Sequence, residues 1–289
     1  MRIGPKTKSW GPPVVKVLWL VWLLGMVPVF PRQALAEPGL VFPLEPYKDN
    51  YLLFYTWDHT AGADRMAQEA VFQISLKKRA RDDFPLYLAY TQKSFWQVYD
   101  DHHSRPFRET NYNPEVFVEP AWEDGTIGWS LRLGVEHESN GQSGDQSRSW
   151  NRYYVWPQMA VPDWWGLTTS LKVWNRFQEE KKKPPADSFG DDNPRILDLL
   201  GYAEWRISLE GTSGQSDNTG DAPLGHRLDV MVRKGAQDPH GTWQVDYRFN
   251  MPTLNRGMYV HLQYFEGYGN SLIDFDKRIK RAGIGFSFR

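Results

Sequence analysis

Cysteine is absent from the 289-residue chain. That excludes disulfide frameworks, thiolate metal centres and a cysteine nucleophile. Neither sign of charge is in excess: 34 lysines and arginines stand against 35 aspartates and glutamates, a net charge of −1. With no basic surplus, nucleic acid is not an expected partner. Long apolar runs are missing beyond the first 30 residues, and mean hydropathy is −0.60. A helical span needs about 20 apolar residues, so a multi-helix membrane protein is excluded. What the chain has instead is aromatic weight, 15% of all residues including 14 tryptophans. A polar average with many aromatics fits a transmembrane β-barrel, which keeps its apolar band in every second residue.

The first residues read as an address. Arg2, Lys6, Lys8 and Lys16 form a basic leader, Val17–Phe30 is apolar apart from Gly25 and Pro28, and Ala34-Leu35-Ala36 supplies a small-x-small cleavage site. This layout predicts a secretory signal peptide over residues 1–36, with an uncleaved anchor as the alternative. Residues 37–289 are then expected to form one exported domain.

That domain alternates with period 2. In Trp243-Gln244-Val245-Asp246-Tyr247-Arg248-Phe249 the odd positions are apolar and the even ones polar or charged; Phe72-Gln73-Ile74-Ser75-Leu76 behaves alike. Strands are predicted near 70–79, 85–97, 113–120, 128–140, 149–160, 164–176, 200–210, 226–234, 242–250, 257–266 and 279–288. Tyr51–Trp57 makes a twelfth, which satisfies the even number an antiparallel barrel needs. The expected fold is all-β, a transmembrane antiparallel barrel of about 12 strands. The charged stretch Gln178–Asp192 and the Gly211–Gly225 connector read as loops.

One strand breaks the pattern of its own outer face. Trp129, Leu131, Leu133 and Val135 define the lipid-facing side, and the same parity carries His137 and Ser139 outward. Arg132, Glu136 and Glu138 then point into the barrel. In the next strand Asn151 shares parity with Tyr153 and Val155. Residues i and i+2 on one face lie about 7 Å apart and cross-strand neighbours about 5 Å. Ser, His and Asn can therefore converge on the outside of the barrel, as an activated hydroxyl requires. Parity alone leaves a second reading open, in which these side chains simply meet lipid headgroups.

Four motifs tip the balance. Glu136-His137-Glu138-Ser139-Asn140-Gly141, followed by Ser147-Arg148-Ser149-Trp150-Asn151-Arg152, resembles the active-site signature of the bacterial outer membrane phospholipase A family. The resemblance extends to Tyr90-Thr91-Gln92-Lys93-Ser94, to Pro106–Tyr112 and to Gly267–Asp274, in order along nearly the whole domain. It implies a twelve-stranded barrel, calcium-dependent hydrolysis of phospholipid acyl esters (phospholipase A1/A2 and lysophospholipase type), and activation as a homodimer in the outer membrane.

Carried over by residue, the resemblance makes Ser139 the nucleophile, His137 the general base and Asn151 the group that orients the imidazole. It gives the oxyanion to the N–H of Gly141, and the calcium to the hydroxyl of Ser147, the carbonyl of Gln142 and the carbonyl of Ser104 from a second subunit. Gln142 and Gly144 depart from the family pattern, which has arginine and aspartate there; no second calcium site is expected. Gln92, outward with Leu86, Leu88 and Tyr90, is implied as a polar patch of the dimer interface, unless its strand is inverted. His102-His103 beside Asp100 and Asp101 fits no metal-ligand spacing. His59, His226, His240 and His261 have no partner legible in sequence, and Asp274 reads as structural. The competing class is a passive porin or structural barrel without hydrolase activity, although a wide channel needs about 16–18 strands.

Overall fold

The computed structural model describes residues 44–288, except 63–64, 181–189, 214–223, 238–240 and 251–256. The expected signal peptide, 1–36, and His240 lie outside the described residues.

Twelve staves form the wall: β2 (Asn50–Asp58), β3 (Gln68–Arg79), β4 (Leu86–Trp96), β5 (Phe107–Val118), β7 (Ile127–Ser139), β8 (Ser149–Val161), β9 (Leu167–Arg176), β10 (Ala203–Ser213), β11 (Leu224–Arg233), β12 (Thr242–Asn250), β13 (Met258–Gly267) and β14 (Ile279–Phe288). Two short segments, β1 (Glu45–Pro46) and β6 (Ala121–Asp124), pair on β3 and β7. Every stave runs antiparallel to its chain neighbours, and β14 returns to β2. The sheet thus closes with no free edge, the condition for strands in hydrocarbon.

Alternation divides the two faces as expected. Leu88, Val135 and Val155 are 51%, 47% and 45% exposed on the outer face, an apolar surface suited to lipid. The inner face carries charge that is paired. Glu136 is 3% exposed and meets Lys172 at 2.7 Å and Arg152 at 3.1 Å. Lys48 pairs with Glu115, and Arg132 with Glu119. Buried ions of this kind persist only when each has its counter-ion and hydrogen bonds.

The largest apolar cluster brings wall residues together with loop residues. Trp150 and Trp174 from the wall join Ile196, Leu199 and Leu200 of a short helix, α1 (Ile196–Leu200), and Leu272 and Phe275 of the β13–β14 loop. Loop and wall are stitched together where Asn111 and Glu109 accept hydrogen bonds from the N–H groups of Leu272 and Ile273, at 3.2 and 2.8 Å. Asp274 pairs with Arg108 and Lys277 and so ties this loop to β5.

Three boundaries differ from the prediction. The fourth stave begins at Phe107, not near 113, because Arg108, Glu109, Thr110 and Asn111 put polar residues on both faces and hide the period. The stave expected at 200–210 runs Ala203–Ser213, since the apolar run before it coils into α1. Trp164–Gly166 form a turn, and β9 begins at Leu167.

Candidate active site

The β7–β8 hairpin aligns the three expected residues. In its register His137 faces Asn151 and Ser139 faces Ser149. His137 and Ser139 follow Val135 along one face, the outer one, and both are half-buried. The imidazole Nδ1 and Asn151 Oδ1 lie 2.9 Å apart. On the far side of the same amide, Nδ2 donates to Glu179 Oε1 at 3.1 Å.

Behind His137 the ladder is interrupted. Tyr112 opposes Ser139 and Glu115 opposes Glu136, which puts Pro114 opposite His137. Proline has no N–H to give. Asn113 Nδ2 fills the gap, donating to the His137 carbonyl at 2.8 Å and to Glu136 Oε2 at 3.2 Å.

The β7–β8 loop is shaped by a buried asparagine. Asn140 Oδ1 accepts from the N–H of Gln142 and of Arg148, and its Nδ2 donates to the Gln146 carbonyl. Gly141 has φ of 65°, which other residues resist. A Cβ there would also stand 3.1 Å from the Tyr112 ring. Gly141 and Gln142, both exposed, follow Ser139 after Asn140, and the Gln142 N–H is taken by Asn140.

Ser147 Oγ donates to Asp192 Oδ2 at 2.8 Å, and Ser149 Oγ reaches the same oxygen at 3.3 Å. Asn193 Nδ2 fixes the Ser149 carbonyl at 2.7 Å. Two hydroxyls and a carboxylate therefore meet at this loop, oxygen donors of the kind a hard cation such as calcium takes.

The remaining expected residues sit elsewhere on the surface. Ser104 stands apart on the exposed β4–β5 loop, where it and Arg105 take left-handed backbone with φ of 60° and 52°. Such residues cost energy unless the surroundings hold them; here Arg105 N–H bonds the Asp100 carbonyl and Trp96 Nε1 bonds the Arg105 carbonyl. Gln92 is on the outer face, bonded to Tyr90 Oη and Ser94 Oγ, so its strand is not inverted. It opposes Tyr112, which opposes Ser139. Gln92, Tyr112, Ser139 and Ser149 thus lie in one row across four strands.

Among the described residues no three His, Asp or Glu side chains gather as a metal site. His103 instead bonds Asp100 at 2.9 Å, which holds that carboxyl below its ordinary range. His261, without a legible partner in sequence, is buried against Asp246 at 2.7 Å, and His226 bonds Tyr247 Oη at 2.7 Å. His59 stacks on Trp57.

Comparison with known proteins decides the family. The sequence profile described as phospholipase A1 matches residues 32–288. The chain belongs to the phospholipase A1 family.

Within that family it is 31% identical over 283 residues to phospholipase A1 of Escherichia coli K12, covering 87% of this chain and 83% of the relative. A putative phospholipase A1 of Neisseria meningitidis serogroup B is 34% identical over 233 residues, which is 76% of this chain. The match spans about half of that longer relative, 54%. Among solved structures, the Salmonella typhi outer membrane phospholipase, a dimer with bound calcium, superposes with a TM-score of 0.69 at 26% identity. That match covers 88% of this chain and 94% of the other. The expected family, barrel and enzyme class, a phospholipase A of the outer membrane, therefore hold.

Sequence reasoning missed Asp192, Asn193, Glu179 and Asn113 at this site. The first three arrive from the β9–β10 connection, and nothing periodic in a loop marks where it docks. Asn113 had a signal: the Pro114 that follows it marks a lost ladder donor within a strand.

Proposed function

We propose that the chain hydrolyses phospholipid acyl ester bonds, with calcium, by a Ser139–His137–Asn151 site that becomes complete when two copies pair. The observation that carries the reading is the 2.9 Å contact between His137 Nδ1 and Asn151 Oδ1. It lies beside Ser139 on the face that meets lipid.

Asn151 Oδ1 can only accept, so it selects the imidazole tautomer with hydrogen on Nδ1 and leaves the Nε2 lone pair for Ser139. Ser139 Oγ attacks the ester carbonyl carbon while its proton passes to Nε2. The C–O bond to the glycerol side then breaks, and His137 returns the proton to the departing alkoxide. Water repeats the cycle on the acyl-serine and releases the fatty acid. Asparagine brings no negative charge to the imidazolium, so it stabilises that ion less than aspartate would. In exchange, no carboxylate stands directly against the imidazole at the edge of hydrocarbon.

The Gly141 N–H is suited to the oxyanion of the tetrahedral intermediate, a kind of contact typically worth about 2.7–4 kcal/mol. Ser147 Oγ, the Gln142 carbonyl and the Asp192 carboxylate would hold calcium, and the Ser104 carbonyl of a second copy would complete the set. Bound there, the cation would strengthen polarisation of the oxyanion. Residues 1–36 would direct export and be removed. Phospholipids of the outer membrane are both the surroundings and the substrate.

The test is Ser139→Ala, assayed for phospholipid hydrolysis and for labelling by a fluorophosphonate probe. Expected is loss of both, with the heat-resistant gel mobility of a folded barrel retained. His137→Ala should match it, while Asn151→Ala, which removes orientation and not the proton acceptor, should lose less. Wild-type turnover by Ser139→Ala would end the assignment.

A further inference from the structure

The segment that follows β9 does not leave the barrel at Arg176. Phe177 N–H donates to the Asn151 carbonyl at 2.9 Å, and the Phe177 ring meets Tyr153 edge-on at 5.4 Å. This extends the β8–β9 contact by one step and sets Glu179 on the side chain of Asn151, where Oε1 accepts from Nδ2 at 3.1 Å. Asp191 N–H in turn bonds the Glu180 carbonyl at 2.8 Å, tying the returning end of the loop to its start. Both the backbone and the side chain of Asn151 are therefore held from the same three-residue stretch.

That contact answers a question the hairpin leaves open. An asparagine amide has an oxygen on one arm and an NH₂ on the other, and a half-turn about its last bond exchanges them. Turned the wrong way, Asn151 would offer N–H to His137 Nδ1 and favour the tautomer whose hydrogen sits on Nε2. Ser139 would then face a donor in place of a base. A carboxylate can only accept, so one placed at the far arm requires Nδ2 there and Oδ1 at the imidazole.

We infer that Glu179 is a positioning residue for the reaction: it locks the Asn151 amide so that His137 keeps its basic nitrogen toward Ser139. The inference rests on the Ser139–His137–Asn151 reading. Glu179 acts through Asn151 and touches no reacting atom. It makes the arrangement a chain of four groups, with the negative charge kept one residue farther from the imidazole than in a Ser-His-Asp site.

The experiment is a charge-exchange cycle at the two positions, with Ser139→Ala alongside and barrel integrity read from heat-modifiable mobility. Glu179→Ala should lower kcat about tenfold with KM unchanged, the scale of one charge-assisted hydrogen bond. Glu179→Lys should cost more, because an ammonium donor draws Oδ1 away from His137. Asn151→Asp sets two carboxylates against each other and should also fall below wild type. The double variant, Asn151→Asp with Glu179→Lys, restores a donor to the far arm and an acceptor to the imidazole, and should exceed both single variants. A residue that merely packs the loop gives no such reversal of sign. Wild-type kcat in Glu179→Ala and Glu179→Lys, or a double variant no better than the worse single one, overturns the inference while Ser139→Ala stays inactive. Activity in Ser139→Ala removes the underlying reading, and the inference with it.

Discussion

Asn113 gives its side-chain amide to the backbone carbonyl of His137, at the point where Pro114 denies that carbonyl its partner in the sheet. The amide is itself held by Lys48 Nζ, which donates to Asn113 Oδ1 at 2.8 Å. A buried carbonyl without a donor is costly, so the strand that carries His137 depends on a neighbour's side chain. Asn113→Ala should reduce stability by about 1–3 kcal/mol in a denaturant titration. It should also lower kcat more than it raises KM. Asn113→Asp should be worse than Ala, because its oxygens would meet the His137 carbonyl and the Glu136 carboxylate.

Calcium dependence should localise to the β7–β8 loop. Ser147→Ala and Asp192→Asn each remove one oxygen donor of the same cluster. Either variant should need at least about tenfold more free calcium for half-maximal hydrolysis and recover when calcium is raised, while chelation silences wild type. A variant with an unchanged calcium titration would remove that residue from the donor set.

Pairing should be read from Gln92. The outer face around it is apolar, with Leu88 and Tyr90 exposed, and an amide there gains from a partner across an interface. If a second copy's Ser104 completes the calcium shell, activity rises with the square of protomer density when density is low. Gln92→Ala should weaken crosslinked dimer and raise the calcium requirement together, although Gln92 lies outside the β7–β8 loop. Hydrolysis and crosslinking across a detergent dilution series check this. Full activity in a verified monomer would sink it.

Acid should loosen the β13–β14 loop through Asp274. Burial alone would raise this carboxyl, but Arg108 and Lys277 outweigh burial and hold it below the ordinary aspartate value. A lowered folded-state pKa contributes stability above the unfolded value, about 3.9, and that contribution is lost as pH falls through the folded one. Protease sensitivity of the loop should therefore rise below about pH 4. Asp274→Asn should be less stable at neutral pH and show a flatter dependence in that acid window.

The barrel was legible because its code is binary. Period 2 sorts Trp129, Leu131, Leu133 and Val135 from Arg132 and Glu136, and the polar break in the outer series marks His137 and Ser139, whose catalytic reading came from the motifs around them and not from parity. Legibility failed where both faces are polar, as in Arg108–Asn111, or where an apolar run serves a cap, as in Ile196–Leu200. It failed again at Glu179 and Asp192. These reach the site through loop docking, set by hydrogen bonds to Asn151 and to Ser147 and Ser149 that have no counterpart in local spacing.

The cap built from α1 and the β13–β14 loop has an electrical consequence. Trp150, Trp174, Leu200, Leu272 and Phe275 bring apolar side chains to a lumen otherwise lined largely by charged and polar groups. An ion passing among them would trade part of its hydration for apolar contact, which costs free energy. If that barrier closes the lumen, planar bilayers holding the protein should stay insulating, and a conductance recording checks it. Removing α1 and the β13–β14 loop should then raise conductance more than neutralising the charged groups around them.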